Sequence, residues 1–377
     1  MSPSRKQVSV QPPARATPSG TARFAERHRA AFVPDFFRAL SGNRFLVSSI
    51  GIGTYLGECD DSDDERYVAT MRSALESGIN LLDTAINYRC QRSERAVGRA
   101  MSAAIDQGSV RRDEIVVCTK GGYVPLEGQP PATRAEYQDY LRTAYFDAGV
   151  VAPEELVAGG HCISPQFLAH EIATSCKNLG VETIDVYYLH NPEHQLDTIR
   201  PAEFRARMER AFSLLENQCR DGRIGCYGCA TWNGFRVPPS SRGHLSLAEL
   251  VEIARQAGGE SHHFQVLQLP VNLALAEAVR APTQRLADGR MVSLIEAAAT
   301  LGVSAVASAV LLQGKLSGGL PPELREALPG LATDSQRAIA FVRSVPGIAS
   351  GLVGMKSQQH LVENLGAATI FAALAER

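Results

Sequence analysis

The sequence predicts an α/β fold, a (β/α)8 TIM barrel with an N-terminal extension, and three observations carry that expectation. After residue 44, eight short apolar, β-branched runs alternate with helical patterns. The runs are near-continuously apolar, which strands covered on both faces require. The glycines of "GIGTYLG" at 51, 53 and 57 give G-x-G-x-x-x-G within a strand, one residue off the dinucleotide fingerprint and away from a helix start, so a doubly wound sheet is not indicated.

In order, the strand candidates are 48–55, 79–85, 114–120, 183–190, 225–231, 264–271, 304–311 and 347–354. The helices between them are amphipathic. The segment 67–78 places Val68, Met71, Ala74 and Leu75 on one stripe and stops at Gly78. The segment 164–180 opens with Ser164 as cap and Pro165 in the first turn, and ends at Gly180. Segments 201–222, 247–259, 291–302 and 357–368 repeat the theme. Two stretches exceed ordinary loop length: 122–163 after the third strand, with a helix over "TRAEYQDYLRTAYFDAG", and 233–245 after the fifth. Both leave C-terminal strand ends, where barrels build their sites, and so are expected to shape specificity.

Residues 1–43 read as an extension and 44–377 as one barrel domain. The first 24 residues hold Pro, Ser, Arg and Lys but no acid, the composition of a mobile arm. A transit-type leader shares that flavour, although the stretch is weakly amphipathic. Residues 28–40 are apolar enough to pack on the body. A net charge of −2 points to neither nucleic acid nor a membrane surface. No apolar run approaches the roughly 20 residues of a bilayer span. Eight scattered cysteines in 377 residues suit free thiols in a reducing cytoplasm. Oligomeric state is open.

On a barrel, the C-terminal rim carries Asp83 and Tyr88 after strand two, Lys120 ending strand three and His190 ending strand four. These four residue types suit proton delivery from a phenol. A lysine ammonium stabilises a phenolate, a carboxylate holds the lysine charged, and a histidine orients a carbonyl. Hydride transfer to that carbonyl needs a nicotinamide.

"DTAINY", "VVCTK" and "DVYYLHNPE" resemble the motifs of the aldo-keto reductase family, and "FLVSSIGIGTYLG" resembles its entry into the first barrel strand, with Gly53 and Thr54 on the cofactor side. The resemblance implies a catalytic tetrad of Asp83, Tyr88, Lys120 and His190, with Tyr88 as the acid, and a small-molecule carbonyl substrate. It also implies that Gln268 in strand six holds the nicotinamide carboxamide. Where the family has Ser-Asn after strand five this chain has Ala230 and Thr231. Where the family stacks an aromatic after strand seven it has Ser308, followed by Gln313, Gly314 and Leu316. Tyr55 and Trp232 are candidates for the missing flat partner and for substrate contacts. "GMKSQQHLVENLGAA" resembles the segment that grips an adenosine 2′-phosphate, through Lys356 and Ser357 at a helix start. Within it, His360 takes a place often held by Arg or Gln, and Glu363 and Asn364 match adenine contacts. NADP(H) is therefore favoured over NAD(H).

Other features have blander readings. Cys226 and Cys229 lie three apart on a strand and face opposite sides, so one metal could not take both. His262 and His263 precede a strand at the opposite rim and read as solvated. His161 and Cys162 could wall the substrate site from the third loop. Arg89 and Arg92 read as pairing with solvent or Glu94. The departures at Ala230, Thr231 and Ser308 keep a second expectation open: the same barrel running lyase, isomerase or cyclase chemistry, or sensing NADPH as a regulatory subunit.

Overall fold

Each of the eight apolar runs becomes one strand of a closed parallel barrel: β1 Ile50–Gly53, β2 Leu81–Asp83, β3 Val116–Gly121, β4 Ile184–His190, β5 Ile224–Ala230, β6 Phe264–Pro270, β7 Ser304–Ser308 and β8 Ile348–Gly354. Neighbours in the ring are neighbours in sequence, and β8 closes on β1. The structure is a computed structural model. It describes residues 14–375 except 41, 43, 158 and 159, with side chains described through Thr369.

The period of two decides what each strand shows to the lumen. Leu81, Val116, Cys118, Val186, Tyr188, Cys226, Val266 and Val306 form the interior cluster with the floor of the barrel. Leu82, Val117, Tyr187, Cys229, Leu267 and Ala307 belong to the outer layer under the helices. Cys226 and Cys229 thus face opposite sides. The floor is an antiparallel hairpin, Phe37–Leu40 with Phe45–Ser48, whose Leu40, Phe45 and Val47 plug the N-terminal end.

The helices match the sequence reading with shifted ends. The first barrel helix spans Asp61–Glu76, starting six residues before the expected 67, because Asp60 accepts the Asp63 N–H at 2.8 Å and three acids fill the first turn. Pro165–Leu179 ends on Gly180 at φ +65°, as a left-handed cap requires. The last helix runs on from Gln358 to Ala375. Among the described residues no helix is long and apolar enough to cross a membrane.

The expected arm divides. Residues 1–13 lie outside the described residues. From Pro18 the chain is helical to His28, with Thr17 accepting the Gly20 N–H at 2.9 Å and Phe24 fully buried. Arg23 and Arg27 fork onto Asp113 and Glu114 at 2.9 Å. The part of the expected arm from Pro18 onward is therefore a docked helix, whose Arg23 and Arg27 take their acids from elsewhere in the chain.

Candidate active site

The lumen-facing parity continues to the C-terminal rim. Asp83, Lys120, His190, Ala230, Gln268 and Ser308 each follow an interior residue at two- or four-residue spacing, so six strand ends aim at one place. Lys120 is 1% exposed. Its Nζ donates to Asp83 Oδ1 at 2.5 Å and to the Thr84 carbonyl at 2.7 Å, and lies 5.0 Å from the centre of the Tyr88 ring. Burial works against the ammonium, but the Asp83 charge outweighs it and holds Lys120 above its ordinary value. Gln268 Nε2 donates to the other Asp83 oxygen at 2.6 Å.

Tyr88 is brought to this pair by an abrupt turn. Arg89, Cys90 and Gln91 have φ of +50°, +53° and +69°, three successive left-handed residues that cost about 1 kcal/mol or more each. Buried Arg89 holds the turn: it reaches the Glu58 carbonyl at 2.7 Å and Asp64 at 2.5 Å. Arg92 pairs with Asp61 and Asp64. Neither arginine meets Glu94, which is buried and bonded to Thr119 and Asn178. The reading of these arginines as solvated was incorrect because Asp61 and Asp64 belong to a helix that the sequence pattern started too late.

Burial pushes the Tyr88 phenol above its ordinary value, and Lys120 only partly offsets this. The phenol is therefore fully protonated near neutrality, where a depressed value had been expected. His190 is held well below its ordinary value by burial and by the Lys120 charge, so its ring is neutral. Its Nδ1 is buried without a partner. An unpaired buried N–H costs about 1–3 kcal/mol, which favours the tautomer with the proton on Nε2. The ring sits 5.8 Å from that of Tyr88 and 5.1 Å from that of Tyr123, edge to face.

One cleft of about 1190 Å³ runs from this cluster across the rim. It collects Gly53, Thr54, Tyr55, Thr231, Trp232, Gln268, Ser308, Gln313 and Gly314, then Lys356, Ser357, His360, Glu363 and Asn364. Lys120 stands behind its wall, and Leu316 lies outside it on a tight turn. Tyr55 and Trp232 are 57% and 40% exposed at the mouth, and the Tyr55 ring meets Tyr88 edge-on at 5.1 Å. Ser357 caps the last helix by accepting the His360 N–H at 3.2 Å.

A dinucleotide fits this groove on two grounds. The groove ends at a capped helix start beside Lys356, a site for an anion. Thr231 Oγ1 is buried on the wall without a partner, which leaves a polar group for a carboxamide next to Gln268.

The long loops contribute less than expected. Of 122–163 the cleft takes Tyr123 alone, and of 233–245 nothing. The start of the loop after β5 is pinned by Glu193, whose Oε1 accepts the N–H groups of Trp232, Asn233 and Gly234 at 2.9–3.2 Å. Tyr123, Asn191 and His194 were missed by the sequence reading. Asn191 donates to Tyr123 Oη at 3.0 Å, and that hydroxyl meets His194 Nδ1 at 2.6 Å. The polar run "HNPEH" directly after an apolar strand was the available signal. His161 does not wall the cleft: it is fully buried, and its Nε2 bonds the His190 carbonyl at 2.7 Å. His263, read as solvated, bonds Glu216 at 2.7 Å.

Residues 49–237, half of the chain, match the aldo/keto reductase family. The chain belongs to that family. A putative voltage-gated potassium channel subunit beta of Schizosaccharomyces pombe is 23% identical over 342 residues, 88% of this chain and 87% of the relative. The NADH-specific methylglyoxal reductase of Escherichia coli is 29% identical over 209 residues, 54% of this chain and 53% of that one. Among solved structures, an aldo/keto reductase from Klebsiella pneumoniae in complex with NADP and acetate shares the fold at TM-score 0.56 and 18% identity, covering 90% of this chain and 94% of that one.

Proposed function

We propose that this aldo-keto reductase is an NADP(H)-dependent oxidoreductase that reduces an aldehyde or ketone to an alcohol, with Tyr88 as proton donor. The observation that carries the reading is the fully buried Lys120–Asp83 pair, 2.5 Å apart, under the Tyr88 ring and beside a neutral His190. A bound nicotinamide would supply the hydride. The chain's own part is proton delivery and positioning. His190, protonated on Nε2, donates to the substrate oxygen and orients it. Tyr88 gives its proton to that oxygen as charge develops there. The phenolate left behind is stabilised by Lys120, whose charge Asp83 and Gln268 hold in place. At the far end of the groove, Lys356 and Ser357 line the wall and would hold the adenosine side of the cofactor. NADP is also the nucleotide of the Klebsiella pneumoniae complex.

The second reading is an NADPH-sensing or non-redox role. It draws on Ser308 at the place of a stacking aromatic and on the likeness to a potassium channel subunit beta. Titrating the protein with NADPH by fluorescence, then following 340-nm absorbance over a broad carbonyl panel, separates the two. The reductase reading expects both binding and oxidation. Binding without oxidation of any carbonyl favours the second reading.

A further inference from the structure

At the end of the cleft where the adenosine would lie, the cation that would meet it already has a partner. Lys356 Nζ lies 2.8 Å from Asp63 Oδ2, behind the cleft wall. Asp63 is 5% exposed and fixed from several sides. The Glu58 N–H donates to the same Oδ2 at 2.8 Å, and the Asp63 N–H is itself held by Asp60 at 2.8 Å. Gly57, at φ +132°, packs so close that a Cβ there would sit 2.6 Å from that oxygen. Burial pushes the Asp63 carboxyl up, but the Lys356 and Glu58 hydrogen bonds outweigh it and hold it below the usual carboxylate range. Asp63 is therefore a fixed negative charge. The second cation on this side, Arg66, lines the cleft and lies 3.6 Å from Asp63 Oδ1.

Asp63 therefore offsets part of the positive charge that Lys356 and Arg66 bring to this end of the cleft, and one of the Lys356 donors is already taken. A phosphate monoester brings about −1.5 to −2 charges at pH 7 and a ribose hydroxyl brings none, so a buried carboxylate beside the lysine opposes the phosphate selectively.

We propose that Asp63 tunes the cofactor preference of this chain: by holding Lys356 in an ion pair it reduces the gain from a 2′-phosphate, so NADPH is preferred over NADH by only about tenfold or less. This rests on the nicotinamide-dinucleotide reading above. Asp63 acts through Lys356 and is a positioning residue.

The test is direct binding rather than turnover. Dissociation constants for NADPH and NADH are measured by fluorescence on the full chain, for the wild type, Asp63→Asn and Lys356→Met. The asparagine keeps an oxygen for the Glu58 N–H. The wild type is expected to bind the two nucleotides within about tenfold of one another, an energy difference under about 1.4 kcal/mol. Asp63→Asn is expected to tighten NADPH by about tenfold, on the removal of one like charge near the phosphate, and to leave NADH within about twofold. Lys356→Met is expected to weaken NADPH more than NADH. A wild-type preference for NADPH above about tenfold overturns the proposal even if the variants do not fold. Equal shifts for both nucleotides in Asp63→Asn overturn it too. Failure of the wild type to bind either nucleotide overturns the cofactor reading itself.

Discussion

Replacing Lys120 by methionine separates what the buried ion pair does for stability from what it does for chemistry. At 2.5 Å and an effective dielectric of about 20, the attraction of Lys120 for Asp83 is about 6–7 kcal/mol. Desolvating two ions at 1% and 5% side-chain exposure costs several kcal/mol each, so the pair as a whole adds little net stability. Removing only the lysine leaves Asp83 buried with Gln268 as its remaining side-chain partner, a loss of about 3–5 kcal/mol. Removing both charges, with Asp83→Asn and Lys120→Met together, abolishes the orphan and should recover most of that loss. Urea unfolding of the wild type, the two single variants and the double variant gives the cycle directly. The double variant should be more stable than Lys120→Met and equally inactive. A Lys120→Met loss below about 1 kcal/mol, or a double variant less stable than the single, would falsify the description of Lys120 as a desolvated partner of Asp83.

Two further outcomes follow from the site. For carbonyl reduction, kcat/KM should be flat from about pH 6.5 to 9, because Tyr88 is raised above 10 and stays protonated while His190 is lowered and stays neutral; activity should fall only as pH rises through the Tyr88 value. A basic limb centred below pH 8 in the pH–rate profile would contradict that assignment. Glu193→Ala removes the single oxygen that gathers three backbone N–H groups, so it should cost about 2–3 kcal/mol in thermal or urea unfolding and raise KM for the carbonyl by freeing Trp232 at the cleft mouth.

The barrel was legible because each β-strand is short, apolar and closed on both sides, so burial alone specifies it. The clustering of Asp83, Tyr88, Lys120 and His190 was legible from the same strand pattern. Asp83, Lys120 and His190 sit at strand ends, where parity fixes direction, and Tyr88 lies five residues beyond one of them. What the sequence could not show are pairings made by closure of the ring. Asp63 meets Lys356 across 293 residues, and Gln268 meets Asp83 across 185. The Arg89 turn depends on acids from the preceding helix, and the N-terminal helix on Asp113 and Glu114. The two long loops were expected to shape the site because of their length, but length does not say which way a loop folds. Glu193 fixes the start of one of them, and the other contributes only Tyr123 to the cleft.

The most direct measurement is the turnover of Tyr88→Phe at matched NADPH occupancy. The phenylalanine keeps the ring that Lys120 and His190 pack against and removes only the hydroxyl. If Tyr88 is the proton donor, kcat for carbonyl reduction falls by about 10²–10⁴ while the dissociation constant for NADPH stays within about twofold of the wild type. Turnover within about tenfold of the wild type would contradict the account, because the proton would then come from another group.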